Sequence, residues 1–250
     1  MMQSIFATGK DFFMPPLAPL MVLAFLGAAG ATCLALLAAL GAALARRPSL
    51  AWPFGAGTVL IPAGYFGVLL LFSARSSERL LHAGDLKYFC EADCHIAYSL
   101  QAMSLAKTLG PAGHSLEAAG EFRVVTIRAW FDERSISPHR GNQSLTPNPR
   151  EVSVIDGSGR RYVLSSAAGG ALAAAGISST PLDRPLVPGE SYTTTLAFDV
   201  PLDAQGLRLL VADREFITRV LIGHENSFFH KKIYFDLSGR TTADTGGNWR

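Results

Sequence analysis

The densest group of chemically reactive side chains is the stretch from Cys90 to His95, which holds two thiols, two carboxylates and an imidazole. A turn would bring the Cα atoms of Cys90 and Cys94 within the roughly 4.4–6.8 Å that a disulfide spans. Because an oxidising compartment pairs neighbouring thiols, the first prediction is a Cys90–Cys94 disulfide. The alternative prediction is a metal site, since two thiolates and the imidazole of His95 form a soft ligand set suited to copper or zinc.

A second group lies near the end of the chain, where His224 and His230 flank a loop that contains Phe228 and Phe229. The two imidazoles could converge on one metal ion across the loop, either alone or together with the cysteines. The other interpretation is a structural turn whose two phenylalanines form a docking surface for another protein. Both interpretations stand as predictions.

Recognised catalytic motifs do not occur in the sequence. There is no Gly-x-Ser-x-Gly elbow, no His-Glu-x-x-His pair and no phosphate-binding Gly-x-x-x-x-Gly-Lys loop. The 22 basic and 20 acidic residues give a net charge of +2, without the concentrated basic face that phosphate binding requires. We therefore predict that the protein is not an enzyme and has no nucleic-acid partner.

The N-terminal third is unusually apolar. No charged residue occurs between Phe12 and Ala45 or between Ala51 and Ala74, and each run exceeds the roughly 20 residues that cross a bilayer as a helix. The first run is also more than twice as long as the roughly 7–15 apolar residues of a secretory signal. We predict a transmembrane hairpin over residues 17–74, with helices at Leu17–Ala45 and Pro53–Ala74, preceded by an interfacial segment over residues 1–16.

The orientation of this hairpin is predicted from the cysteines. Basic residues occur both in the short turn, at Arg46 and Arg47, and on the outer flanks of the helices, so the bias of basic residues does not decide the orientation. A disulfide in the segment after the second helix requires an oxidising compartment. We therefore place the turn in the cytoplasm and the remaining chain on the periplasmic side of a bacterial inner membrane.

After Arg75 the pattern changes to short runs of β-branched and aromatic residues separated by turn residues, which indicates strands. We expect a juxtamembrane segment over residues 75–120 with the cysteine motif and a first strand, a β-domain over residues 121–238 and a flexible tail over residues 239–250. The predicted strands are Phe122–Phe131, which is expected to be central, a hairpin of Glu151–Ile155 and Arg161–Leu164, then Ser191–Val200, Leu207–Val211 and Lys231–Leu237. The stretches 135–149 and 165–179 are expected to be loops. This order favours an all-β antiparallel sandwich.

Pro188-Gly189-Glu190 precedes the alternating strand that ends at Pro201, and this order of elements resembles the immunoglobulin-like extracytoplasmic domains of bacterial membrane proteins and lipoproteins. The resemblance spans about Asp85 to Leu237. It implies a binding or scaffold module without catalytic residues.

The cysteine motif behind two apolar helices also resembles subunit two of the haem-copper oxidases, whose pattern Cys-x3-Cys-x3-His-x2-Met holds two coppers. That resemblance implies copper as a cofactor, although Tyr98 and Gln101 stand at the last two positions of the pattern and the motif precedes the strands. Two thiols that end in Cys-His resemble, with one extra residue between them, the haem c attachment motif, which implies covalent haem with Met103 as an axial ligand.

These observations lead to one functional prediction and one alternative. The prediction is a non-catalytic, membrane-anchored accessory or scaffold subunit without a cofactor, whose partners are the lipid bilayer and other subunits of a larger membrane complex, with an electron-transfer complex as the candidate. The alternative is a redox or copper-carrying subunit that uses Cys90, Cys94 and His95.

Overall fold

The computed structural model describes residues 18–89, 95–113, 115–136, 139–177 and 179–238. The predicted interfacial segment 1–16 and the predicted tail 239–250 therefore lie outside the described residues. Within the described ranges the chain forms three α-helices, nine β-strands and two short 3₁₀ helices, Glu133–Ser135 and Phe216–Val220. In chain order the elements are α1 Ala18–Leu44, α2 Pro48–Arg75, β1 Arg79–Leu81, β2 Lys87–Phe89, β3 Ile96–Leu109, β4 Leu116–Phe131, β5 Arg150–Ile155, β6 Arg161–Val163, α3 Ser166–Ala174, β7 Ser191–Val200, β8 Arg208–Asp213 and β9 Ile233–Asp236.

The chain divides into two compact units. One contains α1, α2 and the segment Glu215–Lys232, and the other contains Arg79–Arg214 with the described residues from Ile233 onward. From the sequence, residues 121–238 were expected to form one domain. The structure instead groups Glu215–Lys232 with the helices, although about 140 residues of chain separate this segment from α2.

A tight turn joins α1 to α2. Arg46 adopts the left-handed conformation, with φ of 53°, and the amides of Arg46 and Arg47 donate to the carbonyls of Ala43 and Ala42 at 2.9 and 2.8 Å. These two bonds satisfy the last carbonyls of α1 and reverse the chain. Pro48 then begins α2, where its missing N–H costs nothing. The second helix therefore starts earlier than Pro53, and Pro53 lies inside it together with Pro62.

Both helices are long and apolar enough to cross a membrane. Their side chains are almost entirely on the surface: of the α2 residues, all of which are described, only Leu69 and Ser73 are buried. The helices approach each other at small residues, because a Cβ atom at Gly57 would lie 3.5 Å from that of Ala35. The two helices are thus in close contact at this pair of residues and have an apolar outer surface.

The β-rich unit contains two sheets. The four-stranded sheet has the order β2-β3-β4-β7 and is antiparallel throughout. The five-stranded sheet has the order β1-β9-β8-β5-β6 and is mixed, because β1 and β9 pair in parallel, Arg79 with Ile233. The prediction that all strands pair in antiparallel orientation is therefore wrong at this edge. Parallel strands need a long connection, and the chain between β1 and β9 supplies it.

One hydrophobic cluster holds buried side chains from both sheets, among them Phe131 and Phe198 from the first and Val154, Val211 and Phe235 from the second. Burial of such side chains stabilises a fold by roughly 1.5–3 kcal/mol each relative to exposure. This shared cluster is the main core of the β-rich unit.

Several predicted strands are confirmed. β4 lies between β3 and β7, so it is internal to its sheet as expected. β5 and β6 form the predicted hairpin, whose turn is held by Asp156: its carboxylate accepts from the amides of Ser158 and Arg160, both at 2.9 Å, and from Tyr162 Oη at 2.9 Å. Hydrogen bonds from Ser158, Arg160 and Tyr162, of which the one from Ser158 has the largest effect, hold the pKa of Asp156 far below its usual range. Burial alone would raise this pKa, but the hydrogen bonds outweigh it.

One predicted loop is wrong. The run of small residues after β6 forms the helix α3, which Ser165 caps by accepting a hydrogen bond from the amide of Ala168 at 3.2 Å. Ala168, Ala171 and Leu172 are buried in a second cluster together with Phe122. Alanine is the best helix former, and this burial outweighs the two glycines inside the helix.

Candidate functional site

The predicted cysteine site lies outside the described residues at Cys90 and Cys94, so the disulfide and metal interpretations both remain predictions. His95 is the first described residue after this gap, and its side chain is buried, with 7% of its surface exposed. It directly precedes β3, and its backbone carbonyl accepts from the amide of Asp132 at 2.8 Å. The structure therefore fixes the histidine of the motif against the end of β4.

The tautomer of His95 follows from its hydrogen bonds. Its Nδ1 lies 2.7 Å from Ser135 Oγ, and that hydroxyl donates its one hydrogen to the carbonyl of Asp132 at 2.6 Å. Ser135 Oγ must therefore accept from His95, so Nδ1 carries the proton. The imidazole also stacks on Phe131, with ring centroids 5.7 Å apart and planes 10° apart. In the neutral ring Nε2 then holds the lone pair, which is the arrangement of most metal-binding histidines.

The corner that holds His95 carries a strong charge pair. Arg134 donates from Nε and a terminal nitrogen to the carboxylate of Asp132 at 2.9 and 3.0 Å, and Tyr88 Oη donates at 2.6 Å. Burial raises the pKa of Asp132, but these hydrogen bonds outweigh it and the net pKa lies below the usual range. The Asp132 carboxylate is therefore charged at neutral pH and stabilises the turn that positions Ser135.

The two C-terminal histidines are placed differently. His224 Nδ1 accepts from the amide of Asn226 at 2.9 Å, whereas His230 Nδ1 donates to the carbonyl of Lys231 at 2.7 Å, because a carbonyl can only accept. Within the described ranges no group of three or more His, Cys, Asp or Glu side chains could hold a metal ion. The structure thus gives His224 a role in closing its loop, and the metal interpretation of the pair stays a prediction.

Phe228 and Phe229 lie in the segment Glu215–Lys232, and Phe229 has 81% of its surface exposed. The segment packs on α2: Tyr65 Oη donates to the carbonyl of Val220 at 2.8 Å, and the amide of Lys231 donates to Ser76 Oγ at 2.8 Å. The predicted docking loop therefore belongs to the helical unit.

The sequence analysis did not predict that charged side chains are buried between the two sheets. The fully buried Lys87 donates from Nζ to the carbonyls of Val211 and Ile233 at 2.7 and 2.9 Å, which joins β2 of one sheet to β8 and β9 of the other. Arg150 and Asp213 face each other across β5 and β8 and form an ion pair at 3.0 Å with side chains 0% and 1% exposed. No local pattern indicates that these charged side chains are buried, because Lys, Arg and Asp are rarely buried unless they are paired and their partners here are distant in sequence.

A surface feature was also missed. Trp130, near the end of β4, is half-buried and contacts two guanidinium groups, with Arg128 at 5.4 Å and Arg134 at 5.0 Å from its ring centroid. Both distances are within the range of cation–π contacts. Tryptophan and arginine are the residues most enriched in the energetically dominant parts of protein interfaces, so this cluster, termed the Trp130 patch, is a candidate binding surface.

No protein-family model matches the chain, and no curated protein matches its sequence. Among solved structures, the chain is similar to MPT63, a secreted protein of Mycobacterium tuberculosis, with 13% sequence identity and a TM-score of 0.38 over 66% of this chain and 99% of that one. It is also similar to a conserved hypothetical protein of Bacillus anthracis, with 14% identity and a TM-score of 0.36 over 50% of this chain and 86% of that one. These likenesses concern the fold alone.

Proposed function

We propose that the protein is a non-catalytic, membrane-anchored accessory subunit. Two transmembrane helices hold its β-rich unit at the periplasmic surface, where that unit docks on a larger membrane complex. The shared hydrophobic cluster supports packing of the two sheets as an immunoglobulin-like sandwich.

The observation that carries this proposal is the outward-facing apolar surface of α1 and α2. A core helix of a soluble protein has the same length and composition but is buried, whereas the most apolar window of α1 is 0% buried and that of α2 is 6% buried. Leu34, Leu37, Val59 and Leu60 are among the exposed side chains. In water this surface would cost roughly 25 cal/mol for each Å², and a bilayer removes the cost.

The lengths of the helices agree with a membrane position. The 27 residues of α1 and 28 residues of α2 correspond to about 40 and 42 Å, which exceeds the roughly 30 Å of a hydrocarbon core. Each helix can therefore cross with a few residues in the headgroup region. Arg46 and Arg47 then lie at one surface and Arg75 at the other.

The Trp130 patch is the surface that we assign to the partner. Arg128 donates to Ser191 Oγ at 3.2 Å on the outer face of the four-stranded sheet, and Arg134 has 62% of its side chain exposed. An aromatic ring beside two guanidinium groups, of which Arg134 already pairs with Asp132, suits a partner surface that presents an apolar contact and a carboxylate for Arg128. We therefore expect an acidic extramembrane region of another subunit to bind here.

Site-specific photocrosslinking in native membranes tests this function. A photoreactive phenylalanine analogue in place of Trp130 should give one adduct of defined mass, and the same probe in place of the exposed Val163 on β6 serves as the control. The Arg128→Ala variant should co-purify with less of that partner in mild detergent while it remains folded. Absence of an adduct, together with a particle that contains only the 26.7 kDa chain, would contradict the accessory role.

A redox or copper-carrying subunit is the second candidate, and the buried position of His95 directly after the cysteine motif is the observation that favours it. Ser135 holds the His95 ring through Nδ1, as a neighbouring polar group typically holds a metal-binding histidine. Elemental analysis and a visible spectrum of the purified protein separate the two candidates. Stoichiometric copper or a haem band would support the second, whereas a metal-free protein with a closed disulfide would support the first.

A further inference from the structure

We infer that the segment Glu215–Lys232 is a membrane-interface element, which inserts its exposed aromatic and aliphatic side chains into the same bilayer that holds α2. The inference rests on the proposed anchor and deepens it. It assigns the lipid bilayer, rather than a protein subunit, to the loop that contains Phe228 and Phe229.

The segment lies along one face of α2. Tyr65 bonds to Val220 at 2.8 Å, Phe72 lies 3.9 Å from the position of a Cβ atom on Gly223, and Ser76 bonds to Lys231 at 2.8 Å. These helix positions are seven and four residues apart, which places them on the same side of the helix. Leu69 and Ser73, the two buried residues of α2, occupy the same face. The segment therefore follows the last three turns of α2 over about 16 Å.

The contacts with α2 place the segment at the depth of the bilayer interface. If the surplus length of α2 over the hydrocarbon core is shared between its ends, about 6 Å of helix extends beyond the core at the Arg75 end. Tyr65 then lies about 9 Å inside the hydrocarbon boundary. Its partner Val220 lies at the same level, which matches the roughly 5–10 Å that interfacial amphipathic segments are buried.

Irregular backbone at this depth must satisfy its polar groups within the protein. The segment does so at several points: Phe228 N donates to Arg219 O at 3.1 Å, Ser227 N donates to His224 O at 2.9 Å and Lys232 Nζ donates to Glu225 O at 2.6 Å. Asn226 Nδ2 also donates to Thr218 Oγ1 at 2.8 Å. The segment is thus a self-bonded loop with a 3₁₀ turn, which suits a low-dielectric environment.

The exposed side chains of the segment combine an apolar set with a charged set, as the headgroup region of a bilayer accommodates. The apolar ones are Phe216, Ile217, Phe228 and Phe229, and the charged ones are Glu215, Arg219 and Lys231. Phe216 has 65% of its surface exposed and Ile217 has 48%, and they lie next to the exposed Arg219. Arg219 approaches the ring of Phe216 at 5.8 Å, and a guanidinium in this position can reach the headgroup phosphates while its stem stays apolar. Phe229 projects from the other end of the segment.

Continuity with the surface of α2 favours lipid over a protein partner. Phe66, Leu70 and Leu71 are exposed on α2 at the levels that the segment occupies. The segment and α2 belong to the same compact unit. If the exposed side chains of α2 lie in hydrocarbon, the apolar side chains of the segment at the same level therefore enter the bilayer as well. The aromatic residues then act as interfacial anchors.

Depth-dependent fluorescence quenching tests the inference on the full-length protein in phosphatidylcholine vesicles that carry bromine near the top of the acyl chains. The native tryptophans are Trp52, Trp130 and Trp249. Four proteins are prepared, each with one tryptophan, the other native tryptophans being replaced by Phe. One retains Trp52, one retains Trp130, and the other two carry Phe229→Trp or Phe216→Trp.

The expected result is strong quenching of Trp52 and of both introduced tryptophans, with no quenching of Trp130. Because Trp52 lies on α2 itself, its quenching reports on the anchor independently of the segment. If Trp52 is quenched but the tryptophans at positions 216 and 229 are not, the inference is wrong and the anchor stands. The same conclusion follows if the two introduced tryptophans are unquenched in vesicles and become shielded from water only in native membranes that contain a partner protein. Unquenched Trp52 would overturn the anchor and the inference together. Two probe positions guard against one substitution that disturbs the loop.

Discussion

Replacing Arg150 by Met removes a guanidinium that is fully enclosed between the sheets. Arg150 pairs with Asp213 at 3.0 Å and lies over the ring of Phe89 at 4.2 Å. Its Nε also donates to Tyr98 Oη at 3.4 Å. After the change, Asp213 keeps the amide of Asn148 at 3.2 Å as a neighbour but loses the guanidinium of Arg150.

The expected cost follows from the burial of both partners. Removal of one member of a buried ion pair typically costs about 3–5 kcal/mol, because the other charge stays buried without compensation. For a protein of this size, 3 kcal/mol corresponds to a fall in Tm of roughly 6–12 °C. Asp213→Asn should cost a similar amount. The double variant should cost less than the sum by about 1–3 kcal/mol, because the two residues are in contact.

Thermal unfolding of the full-length protein in mild detergent, followed by near-ultraviolet circular dichroism, measures these changes in the β-rich unit. The matched control is Arg161→Met, because Arg161 pairs with Glu151 at 2.9 Å on the same hairpin but with side chains 40% and 45% exposed. Such a surface pair contributes at most about 1 kcal/mol. Equal effects at positions 150 and 161, or strict additivity in the double variant, would refute the reasoning.

Gly120→Ala should destabilise the β-rich unit, because the added Cβ atom would lie 2.1 Å from the carbonyl oxygen of Val200. Gly169→Ala should instead raise the free energy of unfolding by about 0.5–1 kcal/mol, because the added Cβ atom inside α3 has no other atom within 4 Å. Paired denaturation curves check this contrast, and a neutral Gly120→Ala variant would contradict the close strand approach. Asp132 has a folded-state pKa below its usual range, so its contribution to stability is complete above about pH 4 and is lost as the pH falls towards that lower pKa. Asp132→Asn should therefore flatten the acid limb of a Tm-against-pH profile, and an unchanged acid limb would count against the role of Arg134 in holding this carboxylate charged.

The helices and the alternating strands could be predicted because their signals are local. The charge-free runs indicate α1 and α2 by length alone, and the alternation of Ser191–Val200 gives β7 its observed bounds. A first strand was expected within residues 75–120, but the bounds of β3 were not predicted, because Ile96–Leu109 is rich in Ala and Leu, which favour helices, and because two register shifts interrupt its pairing with β4. Pairing with β4 outweighs those local preferences.

The remaining features depend on contacts between distant residues. The bond between Tyr65 and Val220 joins positions 155 residues apart, and no local pattern indicates that the loop of Phe228 and Phe229 packs on α2. The burial of Lys87 likewise depends on carbonyls more than 120 residues away. The cysteine motif singles out His95 in the sequence, but its tautomer depends on Ser135, which lies 40 residues further along the chain in the 3₁₀ helix after β4.

The membrane position of the helices is tested most directly through Cys33. This thiol lies near the middle of α1 and is exposed on the protein surface, so the packing of the chain itself does not shield it from water. A membrane-impermeant maleimide reacts with thiolate in water, and it is applied to native membranes that contain the Cys90→Ser/Cys94→Ser protein, in which Cys33 is the remaining cysteine. The control carries Cys33→Ala and Ser104→Cys in that background, with its thiol at an exposed position on β3.

If α1 crosses the bilayer, Cys33 stays unlabelled in open membrane sheets and is labelled fully after denaturation in detergent, while the control is labelled at once. Rapid labelling of Cys33 in the intact membranes would contradict the anchor on which the proposed function rests.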